Sequence, residues 1–321
     1  MRGMFAASLA AVLTLAAPAR AEDWPARQIT IIVPFGAGGS ADLLARILAA
    51  HMQIKFGQPV VVENRAGAGG SIGTAYVAKA AADGYTLLLG TVSSIAVNAV
   101  LYAKLPFDVD KDLQPVTQLV SFPNLLFVNP KLPVENVPEL IAYLKANEGK
   151  ANYGSSGVGT SGHLSVVMFE QATGTKMTHV PYKSTTDVVN SMLGGHIDLA
   201  IDSMTTVWPQ AKQGLVRPIA VTTPQRSATA PDLPAVAETV KGFEAVAWQG
   251  LFAPAGTPKP VVDKLATEAK AIWKLPEVEK ALANVGADPA LSESPDAFAA
   301  FARAERVKWA EVVKAAGVKI Q

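Results

Sequence analysis

The pentapeptide GAGGS occurs twice in this chain, at 36–40 and 67–71. Each copy directly follows an apolar run and directly precedes a helix-like segment. ITIIVPF (29–35) leads into the first copy and ADLLARILAAHM follows it; PVVVENRA (59–66) leads into the second and IGTAYVAKAA follows. Strand, glycine turn and helix N-terminus form an anion cradle. Glycine lets the backbone approach a ligand, and the first N–H groups of the helix point at it with about half a positive charge of dipole behind them. Two copies this close together predict one pocket built from backbone amides.

The apolar runs ITIIVPF, PVVVEN and YTLLLGT are continuous, without alternation. Strands buried on both faces have this pattern, so the first hundred residues predict a parallel sheet covered by helices, an α/β fold. KLPFDVDKDLQPV (104–116) interrupts the series with prolines and charges, and NLLFVNP (124–130) begins a second one. Strands are expected at 152–156, 178–182, 197–202 and 216–222, with helices at 138–147, 163–174 and 185–195 between them. A proline-bearing connection (223–246) leads to WQGLFAPAGTP (248–258) and a helical remainder, in which Thr257-Pro258 and Ser294-Pro295 read as helix starts. Phe298, Phe301, Trp309 and Val312 share one helical face and read as core. The layout implies one lobe from 22–122 plus 247–321 and a second from 123–246. The two chain crossings form a hinge, and a ligand cleft lies where the strand ends meet.

Arg2, an apolar stretch from Met4 to Ala17 and Ala19-Arg20-Ala21 read as an export signal over 1–21. Its removal lowers Lys+Arg from 28 to 26 against 27 acids, a net charge near −1, with no basic cluster to suggest nucleic acid. The chain has no cysteine, which excludes disulfides, thiol catalysis, cysteine-zinc sites and a lipid-anchored cysteine. Half of the residues are hydrophobic and 17% are charged, so a packed core is affordable and disorder is not expected. Residues 84–103 carry no charge, but interspersed Thr, Ser and Asn favour strand, polar turn and helix over a membrane span. The expected setting is the periplasm, with the protein not embedded in the membrane.

Several residues are placed for chemistry. Ser40 and Asp42 open the helix after the first glycine loop and either cap it or line a site. Ser93 and Ser94 repeat the strand-turn-helix geometry with hydroxyls. Gly159, Thr160 and Ser161, within YGSSGVGTSGHL, form a second amide-and-hydroxyl nest. Tyr182 and Lys183 follow the strand that faces the same side, and Asp202 ends another strand where cleft residues occur. Gly36-x-Gly38-x-x-Ala41, with Glu63 ending the next strand, also matches the loose dinucleotide pattern, an enzyme alternative weakened by the second glycine loop directly after Glu63. His163 could serve as a catalytic base, but the sequence places no partner for it and a helix-start or structural role is expected; His51, His179 and His196 lack metal-ligand spacing, and neither metal nor cofactor is expected.

WPARQITIIVPFGAGGSAD (24–42), VVVENRAGAGGSIGT (60–74), DGYTLLLGTVSS (83–94), NYGSSGVGTSGHL (152–164), THVPYK (178–183), LGGHIDLAID (193–202), RPIAVTTPQR (217–226) and GLFAPAGTP (250–258) together resemble the periplasmic solute receptors of tripartite tricarboxylate transporters, the Bug receptors. The resemblance implies a Venus-flytrap fold of two α/β lobes and no enzymatic activity. It implies a small ligand, typically a carboxylate, gripped by Phe35, Gly36, Ala37, Gly38, Gly39 and Ser40 with ordered water, by the 93–94 turn and by the 159–161 nest. The implied partners are membrane permease subunits or a sensor kinase, with a monomeric receptor expected. The family pattern VPYKG-x-x-PA is broken here by Ser184, Asp187 and Val188. A carboxylate at Asp187 on the pocket rim would repel a polyanion and pair with an amine, favouring an amino acid or a monocarboxylate; capping the following helix is the other role open to it.

Overall fold

The computed structural model describes residues 24–227 and 229–316; the expected export signal at 1–21 lies outside the described residues. The first half contains β1 (Ile29–Val33), α1 (Ser40–Phe56), β2 (Val60–Asn64), α2 (Ser71–Ala78) and β3 (Thr86–Thr91). A π-helical turn (Val92–Val97) runs into α3 (Asn98–Leu101), followed by α4 (Val109–Asp112). β4 (Leu113–Val128) then leads into α5 (Val137–Ala146), β5 (Asn152–Ser155), α6 (Ser161–Thr173), β6 (Thr178–Pro181), α7 (Thr185–Leu193), β7 (Leu199–Ser203), α8 (Met204–Lys212) and β8 (Arg217–Val221). β9 (Val246–Pro254) returns the chain to α9 (Lys259–Trp273), α10 (Pro276–Val285), β10 (Asp288–Pro289) and α11 (Pro295–Ala316).

The strands join in the order β2-β1-β3-β9-β4-β7-β5-β6, with β8 and β10 also paired to β4. The parallel expectation for the first hundred residues holds: β1 pairs parallel with β2 and β3. β5, β6 and β7 are also parallel, whereas the centre of the sheet is antiparallel, β9 pairing with β3 and β4, and β7 with β4. β4 and β9 run alongside each other from Leu113 opposite Pro254 to Pro123 opposite Val246, and β4 then continues against β7 and β8. One long ribbon thus carries the chain between the two halves. The sequence expectation of a break over 104–116 is corrected here: β4 already begins at Leu113. Pro115 is tolerated because the register shifts between Pro115 and Thr117, as expected for proline at a bulge.

The continuous apolar runs are buried as their composition requires: Ile29, Ile31, Ile32 and Val33 of β1 and Leu87, Leu88 and Leu89 of β3 have no exposed surface. One large core spans both halves and a smaller one, around Phe127, Met192 and Ile197, lies under α7 and α8. α11 buries Phe298 and Trp309 as predicted and packs on β4, α3 and α6. Its Glu305 accepts hydrogen bonds from the indoles of Trp248 (2.9 Å) and Trp309 (3.3 Å). The expected start at Thr257-Pro258 moves by one residue: Pro258 is the N-cap of α9, and the Thr257 hydroxyl donates to the Pro254 carbonyl. No helix among the described residues is long and apolar enough to cross a membrane.

Candidate functional site

A cavity of about 50 Å³ lies beside the β4–β9 ribbon, between the two halves. That is room for roughly three to five water-sized groups. Both halves supply its walls: Phe35, Gly39, Ser40, Ala41, Thr91, Ser93 and Gln249 on one side, Asn124, Ser156, Ser161, Ser184, Thr185, Asp202 and Ser203 on the other, with Phe122 and Trp248 at the crossing.

Five helical segments begin at this cavity. The N-terminus of α1 enters through Gly39, Ser40 and Ala41, the π-helical turn through Thr91 and Ser93, α6 through Ser161, α7 through Ser184 and Thr185, and α8 through Ser203. α1 and α8 have no side-chain cap. Their first N–H groups are therefore the donors left for an occupant. None of the lining side chains is basic; Asp202 is the one ionisable group among them. Aligned backbone dipoles supply the positive potential that a lysine or arginine would otherwise provide.

The first glycine loop is held from behind. Gly38 turns with φ of +79°, a left-handed conformation that suits glycine. Its N–H donates to Oδ2 of Asp42 (3.0 Å), and Asp42 also accepts from Asn64 (2.9 Å) and pairs with Arg46 (2.9 Å). Burial opposes the charge on Asp42, but these hydrogen bonds and the Arg46 guanidinium outweigh it and hold the carboxyl below its ordinary value. Asp42 therefore sits under the loop and outside the cavity wall.

The second nest is braced by aromatic rings. Thr160 caps α6 by accepting from the His163 N–H, and its hydroxyl donates to the Gly157 carbonyl. The Gly159 N–H donates to Nδ1 of His163 (3.2 Å). His163 stacks on His179 with ring centroids 4.3 Å apart, and His179 stacks on Tyr153 at 4.7 Å. Burial pushes His163 down to about 3, with further help from His179, and burial pushes His179 down to about 4.

The halves touch directly around the cavity. The Ser161 N–H donates to Oγ of Ser93 (2.9 Å), the Gly36 N–H to the Lys183 carbonyl (3.3 Å), and the Thr186 hydroxyl to the Gly38 carbonyl (2.7 Å). Of the residues singled out in the sequence, Phe35, Gly39, Ser40, Ser93, Ser161 and Asp202 are brought together at the cavity. Gly36, Gly38, Gly159 and Thr160 shape the turns around it, and Ala37 belongs to the first of these turns. Ser94 is turned into the Thr91 capping box. Tyr182 and Lys183 line a more open neighbouring cleft of about 410 Å³, which shares Phe35 and Ser156 with the cavity. The structure places Asp187 off the rim: it is exposed at the start of α7, where it accepts from the Ser184 hydroxyl (2.8 Å) while its own N–H donates to that hydroxyl. Glu63 pairs with Arg65 at 2.8 Å, away from the cavity.

Sequence reasoning missed Asn124, Ser156, Trp248 and Gln249 at the wall. The only signal for Asn124 and Gln249 was a polar residue inside an apolar strand. Asp202 is fully buried: its Oδ1 accepts from Thr185 (2.9 Å) and the Ser203 N–H (2.7 Å), and Ser156 also faces the carboxylate. Burial pushes its pKa above the ordinary carboxylate value against these hydrogen bonds. Among the described residues, no group of three or more His, Cys, Asp or Glu could hold a metal ion.

Residues 44–318 match the model of the tripartite tricarboxylate transporter family receptor. The chain is 38% identical over 309 residues to protein BugT of Bordetella pertussis, covering 96% of this chain and 94% of BugT. Among solved structures, R. palustris Rpa4515 with adipate is 38% identical with a TM-score of 0.90, over 92% of this chain and 99% of that one. The periplasmic binding protein BugD is 37% identical with a TM-score of 0.88, over 93% and 100%. MatC (Rpa3494) from Rhodopseudomonas palustris with bound malate is 31% identical with a TM-score of 0.85, over 90% and 100%.

Proposed function

The chain belongs to the tripartite tricarboxylate transporter family of receptors, and from that premise we propose that it captures a small carboxylate-bearing solute in the cavity between its halves and delivers it to a membrane permease. The observation that carries this reading is the convergence of five helix N-termini on a cavity between the halves with no basic side chain in its wall. A carboxylate there is held by neutral N–H and O–H donors. Each charge-assisted hydrogen bond is worth roughly 1.5–3 kcal/mol, so a handful suffices for micromolar affinity, about −8 kcal/mol. The relatives with adipate and malate bound support a carboxylate.

In this reading the lobes are 22–122 plus 247–321 and 123–246, and the protein works in the periplasm as a monomer without catalysing a reaction. The division is supported by β4, which exchanges partners at Pro123 and Asn124. The β4–β9 ribbon is then the hinge. Closure adds the Ser93–Ser161, Gly36–Lys183 and Gly38–Thr186 contacts around the ligand. Contacts from both lobes reach the ligand only in the closed form, so binding shifts the population toward it.

The test is a thermal-shift screen on protein stripped of carried-over ligand by denaturation and refolding, against mono-, di- and tricarboxylates, amino acids and nicotinamide dinucleotides. A ligand at 100 times its Kd adds about 2.7 kcal/mol of stability, a shift of several degrees for a chain of this size. A carboxylate hit that Ser161→Trp abolishes, with the variant still folded, is the expected result. Binding of a dinucleotide and of no carboxylate would overturn the reading.

A further inference from the structure

The second GAGGS copy takes no part in the cavity wall: none of Gly67 to Ser71 lines it. Its backbone is nonetheless unusual. Gly67, Ala68, Gly69 and Gly70 have φ of 132°, 48°, 60° and 96°, four positive values in succession. Ala68 is the one non-glycine residue with a positive φ among the described residues. Strain of this kind persists only where the surroundings impose it, and it collects at functional sites. Asn98 imposes it here. Its buried side chain donates from Nδ2 to the Gly69 carbonyl (2.9 Å) and to Oγ of Ser71 (3.0 Å). The Thr74 hydroxyl adds a hydrogen bond to the Gly70 carbonyl (2.9 Å).

The loop held in this way meets the other half of the molecule. A Cβ on Gly69 would stand 2.8 Å from the Val158 carbonyl oxygen, well inside van der Waals contact. A Cβ on Gly159 would stand 2.3 Å from Cδ2 of Leu101, back across the same boundary. Both Cβ positions flank one atom, Oδ1 of Asn98, at 3.2 Å and 3.4 Å. The two halves therefore pack at a seam where each side contributes a glycine with no room for a side chain.

Gly69 is the third residue of its pentapeptide, as Gly38 is of the first copy, and Gly38 also approaches the other half, at Thr186. The copies differ in one respect. The first supplies Gly39 and Ser40 to the cavity wall, so its contact across the boundary is made beside the ligand site. The second reaches across without touching that cavity, and so do Asn98, Leu101, Val158 and Gly159.

We propose that the second glycine loop is a ligand-independent clasp: Gly69 and Gly159 let the halves seat against each other, and the seam favours the closed receptor whether or not the cavity is filled. The proposal rests on the hinge closure of the receptor reading and not on the identity of the ligand. A clasp changes the fraction of molecules competent to hold a ligand. It therefore changes every affinity by one factor and leaves the ratio between ligands alone.

The test measures distances between spin labels in protein refolded without ligand. The chain has no cysteine, so Lys79→Cys and Asn190→Cys, both exposed and one in each half, take labels without background. The ligand-free protein is expected to show a short-distance population, and Gly69→Ala to deplete it about tenfold. Gly57→Ala is the control. Gly57 has φ of 64° and nothing within 4 Å of its Cβ position, so the substitution carries the same backbone penalty with no seam to block. Calorimetry with propionate, succinate and citrate should show the Kd of each acid that binds rising roughly tenfold in Gly69→Ala, equally within about twofold, and unchanged in Gly57→Ala. Ligand-free distances that are the same in Gly69→Ala and the unaltered protein would overturn the clasp and leave the carboxylate receptor standing. A loss confined to one acid would also overturn it, because the loop would then belong to the ligand site. If no acid binds the unaltered protein, the receptor reading fails and the ligand-free distances still decide the clasp. If Gly69→Ala does not refold, Gly159→Ala, which meets a side-chain methyl, takes its place with the same readouts.

Discussion

Lowering the pH from 7.5 to 5 should cost the fold stability through His163 before any carboxylate of ordinary pKa is protonated. His163 is buried against His179, and its Nδ1 accepts from the Gly159 N–H. Protonating Nδ1 would set one N–H against another, and among the described residues no acidic side chain pairs with the ring to hold the charge. Its pKa is accordingly down at about 3, from an ordinary value of 6.5. The native state thus holds the neutral ring while the unfolded chain takes up a proton below pH 6.5. Stability from this residue is complete above 6.5 and is lost as pH falls toward 3. At pH 5 the loss is about 2 kcal/mol relative to pH 7.5, and it grows to roughly 4 kcal/mol near pH 3. His179, down at about 4 but partly exposed, adds a smaller loss of the same sign. Urea unfolding at pH 7.5 and pH 5 measures this. With a slope of about 3 kcal/mol/M, 2 kcal/mol moves the midpoint by roughly 0.7 M. His163→Gln keeps an acceptor for Gly159 and cannot titrate, so the pH-dependent part should shrink by that amount. An unchanged pH dependence in His163→Gln, or an NMR titration of His163 near 6.5, would refute the reasoning.

Asp42→Ala leaves the Gly38 N–H, Asn64 and Arg46 without their common acceptor. We expect a loss of about 2–3 kcal/mol in urea unfolding and weaker ligand binding in calorimetry. Gly162→Ala places a methyl 2.4 Å from the Ile201 carbonyl. Backbone cannot yield cheaply there, so α6 must lift off β7 at a cost of about 1–3 kcal/mol, read as a lower unfolding midpoint. Thr186→Val removes the hydroxyl that reaches the Gly38 carbonyl across the cleft. Global stability should stay within about 0.5 kcal/mol while ligand Kd rises roughly two- to tenfold, because only the closed form uses that bond.

Much of the local structure was legible in the residues. ITIIVPFGAGGS became a buried strand, a glycine turn and an uncapped helix start, and YGSSGVGTSGHL became a strand, a nest and α6. Both depend on short-range rules, namely continuous apolar runs, positive φ at glycine and cap chemistry. The cavity wall was legible only in part. Ser93, Ser161 and Asp202 stood at recognisable strand ends or helix starts, whereas Asn124 and Gln249 sat inside apolar strands with nothing local to mark them. Asp42 and Asp187 had the right position in the chain and the wrong direction in space. Each carboxylate is drawn to nearby backbone N–H groups and hydroxyls at the start of its own helix, a partner a few residues away that the cavity cannot match.

The sequence by itself determined the alternation of strands and helices, the placement of glycine turns at the helix starts and the family to which the whole pattern belongs. These depend on residues within a few positions of one another. Only the tertiary structure decided that β9 and β4 run antiparallel through the centre of the sheet, and that this ribbon places Gln249 and Asn124 in the wall of the same cavity as Asp202. Strand pairing across more than a hundred residues depends on which hydrophobic faces bury each other, and no local pattern encodes the partner. The mixed wall of the cavity, drawn from both halves, is a consequence of that pairing.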